Sequence, residues 1–551
     1  MRTAWGIFAV CFLAACGGPV GADGGADAAT PDAGATDAGA ADAGVDLDAA
    51  LDLDAAVDVD AGPPLGDTVP VESGDARGVI DDDLAIFRGI PYAAPPVGSL
   101  RFRPPEAPAP FDGTFDASAF GPTCVQRQSG RLSGEEDCLT VNLWAPRAPG
   151  PRPVMVFIHG GGFTGGSGSA PSLEASALAR AGDVVVVTFN YRLGAFGFLT
   201  TEALAAESTD GSIGNYGLMD QIALLGWIAR NVGAFGGDPG EVTIFGESAG
   251  AVSVCAHLGS PRSDGLYHRA IIQSGGGCAG FEDPRATTDR ASMMERGAAL
   301  VSAVGCTGGV DEPACLRALP PVAILDAEAA DLIVIRDTLM RSLEYAPNLD
   351  GVVLTEDPVD RAARDGTVPV VTGSNADEAT LFTLTTVVNR LNYRARLAAV
   401  FGDARADAVM AVYPVDAFGD AKTAYDAALT DALFVCPTLT FAGRVAGARV
   451  YHLTRALTGS PFAAVGVAHG LDLAYLFGNY PGTYAPNAGD LALGATMQAA
   501  WTTFARAGAP ETTPPWSVYA SATPSVLLLD EPVTEATEIR SGRCAALAAI
   551  P

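Results

Sequence analysis

Short runs of apolar residues recur along the chain from residue 65 onward, and stretches of helical character lie between them. Because these runs are continuous rather than alternating, they predict strands that are buried on both faces of a sheet. Strands and helices alternating over such a length favour an α/β fold with a mostly parallel, doubly wound central sheet flanked by helices. The predicted strands are residues 154–158, 184–189, 242–245, 270–273, 368–372, 449–453 and 525–529, and the predicted helices are residues 172–181, 218–232, 251–258 and 471–477.

Residues 87–105 do not follow this alternation of strands and helices. It is rich in proline, and aromatic residues are spaced along it. This composition predicts an ordered segment at the surface.

The predicted strand at residues 242–245 leads directly into the pentapeptide Gly-Glu-Ser-Ala-Gly, with Ser248 at its centre. A serine between a strand and a helix in this pattern is typical of a nucleophile elbow, in which a strained turn lifts the hydroxyl clear of the sheet. The flanking glycines let strand and helix approach without a Cβ clash. A chance match is the alternative in a chain with 65 glycines, but the flanking strand and helix favour the elbow.

Composition narrows the possible functions. The chain has 551 residues and 48% hydrophobic content, enough for a substantial core in one very large domain or three ordinary ones. Its formal net charge is −31, and Lys422 is the only lysine. A nucleic-acid partner is therefore not expected, because a binding face needs clustered basic residues.

The N-terminus resembles a bacterial lipoprotein signal over residues 1–15. A positive start precedes an apolar stretch that is too short to span a bilayer, and small residues precede Cys16. This pattern predicts cleavage before Cys16 and lipidation of its thiol and new amino group. An ordinary secretory signal cut nearby is the alternative. Both predict export, either as a cell-envelope lipoprotein that is membrane-anchored through Cys16 or as a secreted protein.

Residues 16–64 consist almost entirely of alanine, aspartate and glycine. Repelling aspartates without aromatic residues cannot build a core, so we predict a disordered, extended tether to a catalytic domain at residues 65–551. Calcium binding is the alternative use of such aspartates. No Asp-x-Asp-x-Asp-Gly loop closed by a glutamate is present, which favours the tether.

A serine nucleophile needs a base and a carboxylate, and after a nucleophile elbow of this type they follow the serine in the order acid, then histidine. Only His452 and His469 lie far enough beyond Ser248 to leave room for an acid. His452 sits inside an apolar run and is expected to be a packed strand residue, whereas His469 lies in a predicted loop. For the acid, Asp377 and Glu378 both follow the strand predicted at 368–372.

Several co-linear motifs together resemble the type-B carboxylesterase family, which includes the cholinesterases. The resemblance covers the chain from about residue 70 to the C-terminus, and it implies an α/β-hydrolase fold. The motifs are Phe-Arg-Gly-Ile-Pro-Tyr-Ala at 87–93, Glu-Asp-Cys-Leu at 136–139, His-Gly-Gly-Gly-Phe at 159–163, Asn-Tyr-Arg-Leu-Gly-Ala-Phe-Gly-Phe at 190–198, Gly-Leu-Met-Asp-Gln at 217–221 and the serine pentapeptide at 246–250.

The resemblance implies a serine carboxylic-ester hydrolase that forms an acyl-enzyme intermediate and uses no metal or organic cofactor. We expect a monomer that acts on a small-molecule ester. Activity should rise with pH through a single ionisation near about 6–7, since only neutral imidazole accepts the serine proton. The alternative is a non-catalytic cell-surface binding or adhesion module, because some relatives with this fold have lost the triad; the presence of every triad residue favours the enzyme.

The resemblance also assigns roles to residues. It gives the triad Ser248, Glu378 and His469, and Asp377 is expected to cap the helix that follows. The expected oxyanion-hole donors are the backbone amides of Gly161, Gly162 and Ala249. His159 is expected to be structural, and Glu247 and Ser274 match positions that line or brace the triad, with simple packing as the alternative.

Export permits disulfides, and setting aside Cys11 and Cys16 leaves eight cysteines. The resemblance pairs six of them, as Cys124–Cys138, Cys306–Cys315 and Cys436–Cys544. No motif supports or excludes a pairing of Cys255 with Cys278, and sequence alone does not fix connectivity. The resemblance further implies structural salt bridges between Arg101 and Glu136 and between Arg192 and Asp220.

One departure from the family bears on specificity. Cholinesterases bind the choline cation against a tryptophan in the loop closed by the first disulfide, and a cation needs such an aromatic face. Here residues 125–137 contain no aromatic residue and two arginines, and Leu381 stands where those enzymes tend to carry another aromatic. We therefore expect a preference for neutral esters of short to medium acyl chain over choline esters.

Overall fold

The computed structural model describes residues 63–278, 290–332, 345–366, 368–460, 462–540 and 542–551. The predicted signal, Cys16 and nearly all of the predicted tether lie outside the described residues. None of the described helices combines the length and apolarity needed to cross a bilayer.

The central feature is a mixed sheet of eleven strands. Its order is β16-β15-β14-β13-β12-β11-β9-β10-β8-β4-β3, and two small sheets, β1-β2-β5 and β6-β7, lie beside it. The described strands are β1 (Thr68–Val71), β2 (Gly74–Arg77), β3 (Val79–Asp81), β4 (Leu84–Pro91), β5 (Phe115–Asp116), β6 (Gln126–Gln128), β7 (Arg131–Ser133), β8 (Thr140–Pro146), β9 (Arg152–Ile158), β10 (Val185–Phe189), β11 (Gly237–Glu247), β12 (Arg269–Gln273), β13 (Val370–Asn375), β14 (Arg449–Leu453), β15 (Val526–Leu529) and β16 (Thr534–Ala536).

The predicted parallel sheet is confirmed at its centre. All seven strands expected from continuous apolar runs are present as β9 to β15, and they pair in parallel with one another. Their alternate residues enter two separate cores, one on each face: Val154 and Val156 pack into the first, Met155 and Phe157 into the second. The antiparallel strands at the two edges complete the mixed sheet.

The expectation of a surface segment at residues 87–105 is wrong for its first part. Residues 84–91 form β4, which pairs with β8 inside the main sheet. Phe87 is fully buried and its ring packs edge-on against Phe235 at 4.9 Å between centroids. The strand tolerates its irregular sequence because the register shifts between Phe87 and Ile90, where Gly89 takes a φ of 72°.

Helices cover both faces of the sheet, and a third core lies beneath α10–α13, beside the loop that follows β13. The predicted helix at 172–181 begins as a short 3₁₀ turn at Pro171–Leu173. The described helices are α1 (Ser176–Gly182), α2 (Gly194–Phe198), α3 (Glu202–Glu207), α4 (Tyr216–Asn231), α5 (Ala249–Gly259), α6 (Arg290–Ala303), α7 (Glu312–Ala318), α8 (Pro321–Leu332), α9 (Pro358–Asp365), α10 (Tyr393–Phe401), α11 (Asp403–Val412), α12 (Val415–Phe418), α13 (Ala421–Thr430), α14 (Cys436–Arg444), α15 (Leu471–Phe477), α16 (Ala488–Ala507) and α17 (Arg543–Ala548).

Disulfides and buried ion pairs tie the loops to this frame. The structure joins the three cysteine pairs that the resemblance implies, and it also joins Cys255 on α5 to Cys278 after β12. The guanidinium of Arg101 lies 2.5 Å from Glu136, and that of Arg192 lies 2.6 Å from Asp220. Asp220 is fully buried, so its charge depends on this one partner.

Candidate active site

Four loops meet at one edge of the sheet, where β9, β11, β13 and β14 end. Parallel strands bring their carboxyl ends to the same edge, which is where ligands bind in open α/β sheets. The register keeps these ends level, since Gly246 lies opposite Ile158 and Asn375 lies opposite Leu453. The glycine loop, the serine, the acid and the histidine predicted from sequence are all on these four connections.

Ser248 sits at the sharp turn between β11 and α5. Its φ of 58° and ψ of −125° are strained for a residue with a side chain, as a nucleophile elbow requires. The flanking glycines are needed for space: a Cβ on Gly246 would come 2.5 Å from the backbone of Gly250, and one on Gly250 would overlap the carbonyl of Ile158. The serine itself remains partly accessible to solvent.

His469 and Glu378 form a short polar contact at this edge. Nδ1 of His469 lies 2.6 Å from Oε2 of Glu378, which is fully buried. The other carboxylate oxygen, Oε1, accepts the backbone N–H of Asn375 at 2.8 Å. The Asn375 side chain in turn donates to the carbonyl of Ala468 at 2.9 Å. This hydrogen bond links the loop that carries Glu378 to the loop that carries His469. A carboxylate on Nδ1 leaves Nε2 of neutral His469 without its proton and free to accept one.

Asp377 does not cap the helix that follows it, contrary to the sequence expectation. The 3₁₀ turn at Glu378–Thr380 receives no side-chain hydrogen bond from it. The Asp377 carboxylate instead accepts the N–H of Val467 at 2.9 Å, while its own N–H donates to the carbonyl of Val467 at 3.0 Å. The side chain points across to the histidine loop because that loop passes close enough to offer a backbone donor.

The second imidazole nitrogen faces a different carboxylate. Nε2 of His469 lies 3.1 Å from Oε1 of Glu247, the residue before Ser248. Among the described residues neither atom has a hydrogen-bond partner of good geometry. Catalytic hydrogen bonds are often loose without substrate and tighten in the complex, so this arrangement is compatible with Ser248 reaching Nε2.

Buried carboxylates set the protonation of this histidine. Burial alone would lower the pKa of His469, but Glu247 and Glu378 outweigh it and raise the pKa from 6.5 to about 9. Burial raises the pKa of Glu247 to about 8, against the attraction of His469. Sequence reasoning missed a third acid, Asp472, which is fully buried and accepts from Gln273 at 2.7 Å and Tyr451 at 3.0 Å. Its position three residues after His469 carries no distinctive signal.

The glycine loop after β9 lies directly against the nucleophile. A Cβ on Gly160 would come 2.8 Å from the carbonyl oxygen of Glu247 and 3.1 Å from the Ser248 Cβ, so glycine allows this approach without a backbone clash. Gly161 and Gly162 follow with φ values of 116° and 62°. On the other side, Ala249 is the first residue of α5, where N–H groups have no acceptor within the helix. Backbone donors are thus available on both sides of Ser248.

Two other histidines, His159 directly after β9 and His452 in β14, are structural. His159 is buried, stacks on Tyr191 at 4.4 Å between ring centroids, and burial lowers its pKa to about 4. His452 is a buried residue of β14 that contacts Ser374, as expected from its place in an apolar run. Burial lowers the pKa of His452 to about 3. No group of three or more His, Cys, Asp or Glu side chains is arranged to hold a metal in the part of the chain that the structure describes.

A parallel sheet whose strands end in an elbow serine and an acid-bound histidine defines the α/β-hydrolase class. The sequence matches the carboxylesterase family over residues 65–547. It is 39% identical over 460 residues to the fumonisin B1 esterase of Sphingopyxis macrogoltabida, covering 80% of this chain and 82% of that protein. It is also 35% identical over 491 residues to the para-nitrobenzyl esterase of Bacillus subtilis (strain 168), covering 85% of this chain and 95% of that one.

Solved structures agree with the sequence match. A PNB esterase structure superposes with a TM-score of 0.76 at 33% identity, covering 87% of this chain and 99% of that one. The chain therefore belongs to the carboxylesterase family, and it is a carboxylic ester hydrolase. The family resemblance drawn from sequence is confirmed.

Proposed function

We propose that the protein hydrolyses neutral carboxylic esters through a serine-bound acyl intermediate. Ser248 Oγ attacks the ester carbonyl while His469 Nε2 takes its proton, and the same proton then leaves with the alcohol as the C–O bond breaks. Water attacks the acyl-serine with His469 again as base, releasing the acid and restoring Ser248. Glu378 orients the imidazole and stabilises its cationic form.

Negative charge on the carbonyl oxygen in each tetrahedral intermediate needs preorganised donors. We assign this role to the amides of Gly161, Gly162 and Ala249, on the two sides of Ser248. The observation that carries the whole proposal is the contact of 2.6 Å between His469 Nδ1 and buried Glu378, at the edge where Ser248 occupies its strained turn.

The proposed substrate preference rests on the composition of one loop and on the relatives. The loop closed by Cys124 and Cys138 offers no aromatic face to a quaternary ammonium. Two relatives are named for a fumonisin and for a para-nitrobenzyl group, and neither is named for choline. The composition of the loop supports neutral esters over choline esters as the substrate class.

A fluorescent alkylphosphonate that traps serine nucleophiles tests the mechanism. We expect one adduct, mapped to Ser248, and we expect Ser248→Ala to lose both the adduct and about a million-fold in turnover. Ser118→Ala, at an exposed serine, is the matched control and should retain full activity and labelling. Labelling elsewhere, or hydrolysis by Ser248→Ala near the wild-type rate, contradicts the assignment. A chain that neither labels nor hydrolyses any ester instead favours a binding module.

We also propose that the enzyme is an exported lipoprotein anchored through Cys16. Stable membrane attachment takes two or more acyl chains, which the lipoprotein modification supplies. Cys16→Ala should release active enzyme from the membrane fraction, whereas Cys11→Ala, inside the signal, should leave it attached. Retention of Cys16→Ala on the membrane contradicts the proposal.

A further inference from the structure

Two phenylalanine rings lie next to each other beside the imidazole at the edge of the site. The ring centroid of Phe382 lies 4.9 Å from that of His469, and the ring of Phe434 lies 5.0 Å from it. The two phenyl rings are 6.2 Å apart and nearly parallel, at 4° between planes. They come from separate parts of the chain and form one apolar surface beside the base.

This surface is open to a ligand. Phe382 is 40% exposed although its ring touches His469, which is buried. Phe434 is also partly exposed. Small-molecule sites are usually walled by apolar and aromatic side chains around a few polar groups, and an aromatic face beside the reacting atoms has this character. Covering it with an apolar group of the substrate removes this surface from water.

A local irregularity in a helix places Phe434 there. Residues Asp431–Val435 form a π-helical turn between α13 and α14. Such turns are rare and occur frequently at functional sites. The residue before the turn, Thr430, accepts the backbone N–H of Ala379 at 3.0 Å, which ties the turn to the loop that carries Glu378 and Phe382.

The C-terminal segment fixes the turn from the other side. The buried carboxylate of Asp431 lies 2.8 Å from the guanidinium nitrogens of both Arg540 and Arg543. Arg540 also donates to the carbonyl of Ala376 at 2.9 Å, and Cys436, directly after the turn, is bonded to Cys544. The two rings are therefore preorganised, so little ordering is left for the substrate to bring about.

We propose that Phe382 and Phe434 are specificity-determining residues and that they receive a planar, aromatic group of the ester. This inference rests on the proposed function. Aromatic pairs gain stabilisation beyond the burial of their area when rings stack with an offset or meet edge to face. From that gain we expect a planar ring to be favoured over a saturated ring of the same size by about 2- to 10-fold in kcat/KM.

Two pairs of esters test the inference. Methyl benzoate against methyl cyclohexanecarboxylate varies the acyl side, and benzyl acetate against cyclohexylmethyl acetate varies the alcohol side. The planar-to-saturated ratio of kcat/KM is measured for the wild type, Phe382→Leu and Phe434→Leu, because leucine keeps apolar bulk and removes the ring face. Phe120→Leu is the matched control, since Phe120 is equally exposed at 40% but packs near Trp144. Comparing each ratio with the wild type cancels the intrinsic reactivity of the esters.

We expect the ratio to fall by about 2- to 10-fold in both site variants, in one of the two pairs, and to stay constant in Phe120→Leu. The pair that responds identifies the side of the ester that contacts the rings. A ratio unchanged in both pairs for either site variant overturns the inference. If the wild type hydrolyses the esters and Ser248 takes the phosphonate label, that outcome leaves the proposed function intact; if neither occurs, the proposed function itself fails.

Discussion

Replacing Glu247 with glutamine should shift the pH dependence of the enzyme without removing the nucleophile or the base. Oε1 of Glu247 lies 3.1 Å from His469 Nε2, the atom that must accept the serine proton. Above its pKa of about 8, the Glu247 carboxylate is ionised and stabilises the imidazolium, which is the inactive form of a general base. Activity should therefore be low at acidic pH and rise as His469 loses its proton.

The structure gives the size of this effect. At 3.1 Å and an effective dielectric constant of about 20, two unit charges attract by about 5 kcal/mol. Burial of the imidazolium offsets part of this attraction, and the resulting pKa of His469 rises from 6.5 to about 9, or about 3 kcal/mol at the usual conversion. Because Glu378 remains in Glu247→Gln, we expect only part of the shift to disappear, lowering the pKa of His469 by about 1 to 2 units.

The assay is kcat/KM for a neutral acetate ester between pH 5 and 10. The kcat/KM of the wild type should rise with a midpoint near the pKa of about 9, above the range of about 6–7 that the sequence alone predicts for this enzyme. The midpoint of Glu247→Gln should be lower by about 1 to 2 units. Glu241→Gln is the control, since Glu241 is on the same strand, more exposed, and paired with Arg269 at 2.5 Å. Equal midpoints in Glu247→Gln and the wild type refute the reasoning.

Three further predictions follow from other contacts. Glu378→Gln should lose about a thousand-fold or more in kcat, as loss of a triad acid does. Asp377→Asn should keep kcat within about 10-fold of the wild type, because asparagine can still accept the Val467 N–H. The reverse ranking would identify Asp377 as the triad acid. Arg192→Ala should lower the free energy of unfolding in urea by about 3–5 kcal/mol, because it leaves buried Asp220 unpaired. Arg230→Ala, in the exposed pair with Glu72, should lower it by at most about 1 kcal/mol. Equal losses in the two variants contradict the predicted difference between a buried and an exposed pair. Acetylcholine should have a lower kcat/KM than its neutral isostere 3,3-dimethylbutyl acetate, because the loop closed by Cys124 and Cys138 offers no aromatic face to the ammonium group. The opposite order refutes the preference for neutral esters.

The parts of the fold that could be predicted are those with the strongest burial. Strands β9 to β15 are covered on both faces, so continuous apolar runs mark them and little else competes for the assignment. β4 was missed because Gly89 and Pro91 weaken its strand pattern, and its burial comes from β8 and Phe235, which are distant in sequence. Edge strands such as β3 and β16 have three residues each, too few for a period to be recognised.

The site, like the fold, could be predicted from the sequence only in part. Backbone position at the end of a strand is determined by topology, so the serine, the acid, the histidine and the glycine loop could each be placed on the correct edge. Side-chain direction depends on local geometry that sequence does not carry. Asp377 turns to Val467 because the histidine loop passes beside it, and Cys255 meets Cys278 because α5 and β12 are neighbours in space.

The π-helical turn is a case in which a side-chain direction that the sequence does not reveal affects the chemistry of the site. In a regular α-helix, successive side chains advance by 100°. The wider turn at Asp431–Val435 changes that phase, so the residue that faces His469 cannot be found by counting along the helix. What stabilises the wider turn is the buried charge of Asp431, whose partners Arg540 and Arg543 come from the end of the chain. The aromatic surface beside the base therefore depends on contacts more than one hundred residues apart in sequence, and only the folded chain brings them together.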